Sequence, residues 1–252
     1  MAPFFIDMRI DIITIFPEIC DFYFQHSLLK KAQEAGVLQL MAHNLRDFTS
    51  DKHRVVDDKP FGGGRGMVMK IEPISRAMEQ VRKERSSFRG RSFAPSKKAK
   101  VVLFSPRGKK FNQKMATNWS KLDQLIFICG RYEGVDERVA KNLVDEVVSI
   151  GDFVLMGGEL PALMVAETVA RLLPGVVGHS EDLIGERITK SKGFLEYPQY
   201  TRPEVFCVDK KGKACPPNFS AEQKCWRAPK VLLSGNHKKI NEWRVKHSQM
   251  IE

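Results

Sequence analysis

Three stretches of this chain, FSPRG (104–108), CGRYEG (129–134) and IGDFVLMGGELP (150–161), place glycine or proline beside charged and aromatic residues at the ends of apolar runs. Glycine costs stability inside regular structure. Its clustering among hydrophobic residues therefore implies backbone that comes close to something, either another segment of the protein or a ligand. A fourth stretch, PFGGGRGMVMK (60–70), surrounds Arg65 with glycines and suits either a surface turn or a lid over a charged ligand. It lacks the G-x-x-x-x-G-K-[ST] spacing of a phosphate loop, and no G-x-G-x-x-G opens a helix after the first strand. P-loop NTPases and ordinary Rossmann dehydrogenases are excluded on that ground. Arg171 has two readings. A cation four residues after Glu167 and near a helix end is favoured for structural reasons alone, and it is also a group that can act on a ligand.

The elements that must position these loops follow from periodicity. MRIDIITIF (8–16) alternates and is rich in β-branched residues, so it predicts a strand. Helices are expected at 25–36, 73–84, 111–122 and 136–144, and strands at 37–45, 101–105, 125–130 and 146–151. Pro161 suits the first turn of a further helix that carries Leu163, Ala166, Ala170 and Leu173 on one face. Strands alternating with helices, several of them apolar throughout, predict a mostly parallel α/β sheet covered on both faces. Ligands of such sheets gather at the C-terminal ends of strands. The three marked loops occupy those ends and can converge on one pocket. Residues 85–100, basic and rich in serine, read as a mobile loop. Residues 178–196 read as a linker, and a small basic helical domain is expected from Tyr197 to the end, closing on a helix over 237–250.

Charge and cysteine usage bound the partners. Among 252 residues, Lys plus Arg is 41 against 30 for Asp plus Glu, a net charge of +11 that attracts polyanions, nucleic acid first. No apolar run approaches a membrane span. The N-terminal MAPFFIDM is too short, and too soon interrupted by Asp7, for a secretory signal, so a cytoplasmic protein is expected. Cys20, Cys129, Cys207, Cys215 and Cys225 form no C-x-x-C pair and are odd in number, which indicates neither a zinc site nor a disulfide framework.

Taken in order, IDIITIFPE, LRDFTSDKHRVVDDKPFGGGRGMVMK, LFSPRG, ICGRYEGVDERV, IGDFVLMGGELPALMVAETVARLLPGVVG, LEYPQYTRPEV and VLLSGNHKKINEWR resemble the bacterial tRNA (guanine-N1)-methyltransferase family. The resemblance runs from residue 8 to 244. It implies an α/β fold of the knotted SPOUT class, in which a deep trefoil over residues 1–177 binds S-adenosyl-L-methionine, followed by a linker (178–196) and a small helical tRNA-binding domain (197–252). The implied cofactor contacts are Leu103, Phe104, Ser105 and Pro106; Gly130, Tyr132, Glu133 and Gly134; and Ile150, Gly151, Phe153, Leu155, Gly157, Gly158 and Pro161. On this reading Gly157 and Gly158 let backbone pass close to a bent cofactor. The resemblance also implies a homodimer with a shared active site, tRNA as substrate, no membrane, and a need for magnesium for which no ligand cluster stands out.

Guanine N1 is protonated at neutral pH, so its methylation needs a base, and negative charge grows towards O6. In the family an aspartate and an arginine serve these needs. The arginine maps onto Arg171. The base maps onto Glu186 by gapless counting from Gly178, or onto Asp182 with a short shift. Phe61, Phe153, Arg65 and Leu45 depart from the usual residues, and 208–228 is longer than the usual connection. The basic loop 85–100 and the lysines of 209–213 are candidates to grip tRNA. Two rivals remain: a related RNA methyltransferase with another target nucleotide, and a catalytically silent RNA-binding protein of the same fold.

Overall fold

Strand β1 (Met8–Thr14) is buried along its whole length, as a central strand covered on both faces requires. The computed structural model describes residues 8–89, 99–177, 188–189, 192–195, 197–217 and 223–251. After β1 the chain forms helix α1 (Pro17–Phe24), an element absent from the expected order. Pro17 opens it, Glu18 sits in its first turn, and Cys20 and Phe24, one turn apart, are its buried residues. Helix α2 (Ser27–Glu34), strand β2 (Leu38–Asn44) and the two short strands β3 (Asp57–Asp58) and β4 (Val68–Met69) follow. Helix α3 (Ile71–Arg89) runs past the expected stop at 84 into the segment read as a loop.

The remaining elements of this unit are β5 (Ala99–Lys110), α4 (Gln113–Trp119), β6 (Gln124–Cys129), α5 (Glu137–Asn142), β7 (Glu146–Ser149) and α6 (Glu159–Ala170). The five long strands form one sheet in the order β2-β1-β6-β5-β7, and every neighbouring pair is parallel. One buried cluster joins Ile12, Phe104 and Phe127 to α1, α2, α4 and α6. The other joins Ile13, Leu103, Ile126 and Ile128 to α3 and α5. Alternate residues of each strand therefore serve opposite cores, which makes three layers.

The buried charged groups of β1 are paired. Asp11 is fully buried and accepts hydrogen bonds from Arg9, from Gln124 (2.6 Å) and from His43 Nε2 (2.7 Å). Arg9 also donates to Glu84 at 2.6 Å, tying β1 to α3. Burial pushes the Asp11 carboxyl up, but the bonds from His43, Arg9 and Gln124 outweigh it and hold it below the ordinary range. Asp11, His43 and Glu84 are the one group of potential metal ligands among the described residues. Arg9 already bonds both carboxylates as their counter-charge, so the group carries no metal assignment.

The chain divides into two compact units, Met1–Ser180 and Glu181–Glu252. The second was expected to be helical, yet its described residues mix helix α7 (His237–His247) with strands. Inside the stretch expected as a linker, short strand β9 (Lys192–Leu195) pairs with β8 (Ile188–Thr189) on one side and β13 (Gln249–Ile251) on the other. Strands β10 (Val205–Val208), β11 (Ala214–Cys215) and β12 (Lys224–Arg227) form an antiparallel sheet with β10 in the middle. Register puts Cys207 directly opposite Cys225, and the two are joined as a disulfide with Cα atoms 4.1 Å apart. This corrects the expectation of no disulfide: the spacing of five cysteines carries no information about strand register.

Candidate active site

The C-terminal ends of β5, β6 and β7 enclose a cavity of about 750 Å³. Its three walls are the loops singled out in the sequence. Strand β5 does not stop at Ser105. Phe104 and Lys109 both pair with Val148 of β7, so Ser105–Gly108 leave the ladder as a bulge and the strand resumes beyond it. Gly108 permits the return, because a Cβ there would lie 2.5–2.6 Å from Val147 and Val148 backbone atoms. Ser105, Pro106 and Arg107 of the bulge line the cavity, and Arg107 pairs with Glu137 at 2.9 Å.

The second wall follows β6. Tyr132 holds a left-handed backbone at φ 59°, uncommon for a residue with a side chain and a pointer to a functional turn. The 60–70 segment docks beneath this wall: Glu133 N–H donates to the Met67 carbonyl and Met69 N–H to the Gly134 carbonyl. Gly62, Gly63 and Gly64 all have positive φ, with at most one atom within 4 Å of where a Cβ would stand. They form an exposed turn that does not line the cavity.

The third wall, Ile150–Gly158, is fixed by an ion pair whose acid is fully buried. Glu159 is 1 % exposed and accepts from Arg131 at 2.9 Å and from the Thr14 hydroxyl at 2.6 Å. Thr14 in turn accepts from the Phe16 N–H at 3.0 Å, and the Arg131 guanidinium lies 4.7 Å from the Phe16 ring centroid. This network joins the ends of β1 and β6 to the start of α6. A Cβ on Gly157 would meet Arg131 and Glu159 at 2.2–2.5 Å, and one on Gly158 would meet the backbone of Cys129 and Gly130 at 2.7–3.0 Å. The two glycines are thus required by the protein's own crossing segments. Neither Arg131 nor Glu159 was singled out from the sequence; a charged residue directly beside each marked glycine run was the available signal. Burial and the Glu159 charge push the Cys129 thiol well up, which leaves it an inert core group.

All the cofactor-contact residues expected from the sequence line this one cavity except Gly151, whose Cβ position is taken by the Phe153 ring at 2.3 Å. Arg107, Arg131, Val148, Val154 and Met156 line it in addition. Arg171 does not. It caps the far end of α6, where its N–H donates to the Glu167 carbonyl at 3.0 Å. As the two caps of α6, Gly158 and Arg171 lie roughly 20 Å apart along the helix. The Glu167 carboxylate is instead engaged by the Tyr23 hydroxyl, whose pKa that bond, with burial, pushes up to about 12. Asp182 and Glu186 lie outside the described residues.

A parallel α/β sheet with an apolar, glycine-walled cavity at its strand ends defines a small-molecule-binding α/β protein. The particular family is defined by the whole chain. It belongs to the family described as tRNA (Guanine-1)-methyltransferase TrmD, whose model matches residues 8–251. It is 47% identical over 241 residues to the tRNA (guanine-N(1)-)-methyltransferase of Dictyoglomus turgidum, covering 96% of this chain and 85% of the relative. The protein of the same description from Carboxydothermus hydrogenoformans is 46% identical (96% and 83% covered), and one from Dehalococcoides mccartyi is 44% identical (96% and 86% covered). No helix among the described residues is long and apolar enough to cross a membrane.

Proposed function

We propose that this protein methylates N1 of the guanine immediately 3′ of the anticodon in tRNA (position 37), using S-adenosyl-L-methionine. The observation that carries the reading is the convergence of the three family-matching loops on one cavity. The residues present fit the cofactor. A volume of about 750 Å³ suits a ligand of its size, and the walls combine apolar surface from Leu103, Val148 and Leu155 with the backbone of Gly130 and Gly134. When bound, the cofactor supplies an electrophilic methyl group. The chain supplies the rest: a linker carboxylate, Glu186 or Asp182, takes the N1 proton, and Arg171 stabilises the charge that grows on O6.

Arg171 lies too far from its own cavity to act there, so the reading requires a second copy. Support for a homodimer comes from α1 and α6, adjacent helices bridged by the Tyr23–Glu167 bond. They leave Phe22 (70 % exposed), Leu160 (61 %), Met164 and Ile19 uncovered, a combination expected of an association surface. Each copy would then lend Arg171 to the other's cavity. We also infer that the 130–134 and 150–158 loops close a trefoil knot, a reading supported by the tight crossing of Gly158 over Cys129. Residues 1–177 then act as the methyl-transfer domain and 197–252 as the tRNA-holding domain.

Primer extension on unmodified tRNA tests the reaction, because N1-methylguanine stops reverse transcription at its own position. A cofactor-dependent stop 3′ of the anticodon is expected, and full-length product throughout would refute it. Mixing an Arg171→Ala subunit with a cavity-dead subunit is expected to restore activity if sites are shared. No restoration would remove the dimer argument.

A further inference from the structure

The β11-β10-β12 sheet has two unlike faces. Val208 stands opposite Ala214 on one side and Lys224 on the other, while Phe206 stands opposite Trp226 and Cys207 opposite both Cys215 and Cys225. Side chains alternate along a strand, so the three cysteines share one face and Phe206, Val208, Trp226 and Lys224 share the other. The cysteine face is covered, with Cys207 only 1 % exposed. The other is open. Phe206 is 44 % and Trp226 49 % exposed, with ring planes within 13° of parallel and centroids 5.9 Å apart. The Lys224 ammonium lies 5.5 Å from the Trp226 centroid. The neighbouring Cys207–Cys225 bond locks the register that holds the two rings together.

Charge decides what such a face would take. The turn that leaves β10 carries Lys210, Lys211 and Lys213, all exposed. The acid in this turn, Asp209, is engaged by the N–H groups of Lys211 (2.8 Å) and Lys213 (2.9 Å). Protein interfaces are depleted in lysine at their centres. Flat aromatic rings flanked by cations are instead the arrangement that holds an unpaired nucleotide, the base stacked on the ring and the phosphates near the lysines. We propose that the Phe206–Trp226 face is a stacking platform for an unpaired nucleotide of the RNA substrate. The proposal rests on the tRNA reading above and deepens it: the longer 208–228 connection builds a contact by which the second unit grips RNA.

The test is tRNA binding by fluorescence anisotropy across a salt series, together with methylation kinetics. Trp226→Ala and Trp226→Leu are expected to raise Kd and KM for tRNA about tenfold with the salt slope and kcat unchanged, whereas Trp226→Phe keeps its grip, since stacking needs a ring face. Lys224→Ala is expected to lower the salt slope by about one ion. Cofactor affinity, measured by calorimetry, stays at the wild-type value in all four and shows that the first unit remains folded. Trp226→Leu retaining wild-type Kd and KM would overturn the platform while leaving the methyltransferase reading standing. Wild type that binds tRNA in a Trp226-dependent way but never methylates it would do the reverse. A change in sedimentation of Trp226→Leu without loss of tRNA affinity would assign the face to protein contact and also overturn the proposal.

Discussion

Gly158→Ala isolates the contribution of one methyl group to both fold and site. Gly158 has φ −85°, which any residue adopts without strain, so no backbone penalty accompanies the change. The cost is steric. The new Cβ would stand 2.7 Å from Cys129 Cα and 3.0 Å from Gly130 N, atoms of a buried strand end that cannot rotate away. Carbon atoms rest at about 3.5–4.0 Å, so the crossing has to open by roughly 0.8 Å. That opening also stretches the Gly158 N–H to Gly130 carbonyl bond, now 3.0 Å. Overpacking of this kind costs about 1–3 kcal/mol, and the weakened hydrogen bond adds about 0.5–1.5 kcal/mol. At about 2–4 °C per kcal/mol for a chain of this size, Tm should fall by roughly 5–15 °C. Because Gly130 and Gly158 both line the cavity, S-adenosyl-L-methionine affinity by calorimetry should fall as well. Gly62→Ala is the control. At φ +83° with nothing within 4 Å, it costs only the left-handed backbone penalty of about 1–2 kcal/mol and leaves affinity untouched. A Gly158→Ala protein that melts within 2 °C of wild type and binds cofactor normally would refute the reasoning.

Arg131→Met should destabilise the first unit by about 3–5 kcal/mol in urea denaturation, since it strands the buried Glu159 charge, and Glu159→Gln by less, since the Arg131 guanidinium keeps partial access to solvent. The double variant should be milder than the sum of the two, and strict additivity would show that the pair does not couple. Asp11 and Glu84 are both held below their ordinary values of 3.8 and 4.5, so their stabilisation is complete above about pH 5 and is lost as pH falls through the lowered native values. The stability gap between wild type and Asp11→Asn should therefore narrow below pH 4, and a gap constant from pH 7 to 3 would contradict the assignment. Reducing Cys207–Cys225, which closes a sequence separation of 18, should remove about 3 kcal/mol from its sheet. Hydrogen exchange of the β10 amides should accelerate by about two orders of magnitude, and unchanged protection would rule the bond out as a staple.

The parallel sheet and its strand-end cavity were legible because both follow from local pattern: apolar strand runs, and glycine or proline at their ends. What escaped depends on pairing. The MRIDIITIF strand is expected to be covered on both faces, but local pattern does not show how Arg9 and Asp11 are accommodated there: α3 brings Glu84 and β2 brings His43 to meet them. VFCV and KCWR are too short to predict a sheet, and only their register reveals the bridge and the aromatic pair. The SPRG bulge was read as the end of a strand, since periodicity cannot show that β7 accepts Lys109 after Phe104 at the same residue. Helix α1 did carry a signal, Pro17 followed by Glu18, but its short apolar run resembles a strand terminus. The separation of Arg171 from the cavity is a matter of helix length, and no motif match conveys it.

The glycines of GDFVLMGGELP each answer to the protein before they answer to a ligand. Gly151 leaves room for the Phe153 ring, Gly157 for the Arg131–Glu159 pair, and Gly158 for the backbone of Cys129. The wall they form is therefore held at its GGE end by the Arg131–Glu159 pair and by the Cys129 backbone, without any cofactor. Such a wall presents a preformed cavity, and binding loses little free energy to ordering it. The outward side chains of the same loop, Val154 at 79 % and Met156 at 90 % exposure, have no such hold. A loop anchored at its glycines and apolar at its tip lets the anchored atoms fix the wall while the exposed side chains complete the rim of the same cavity. Substitutions at Val154 or Met156, which line the cavity yet stand largely exposed, should then weaken cofactor binding less than Gly158→Ala does and leave Tm close to the wild-type value.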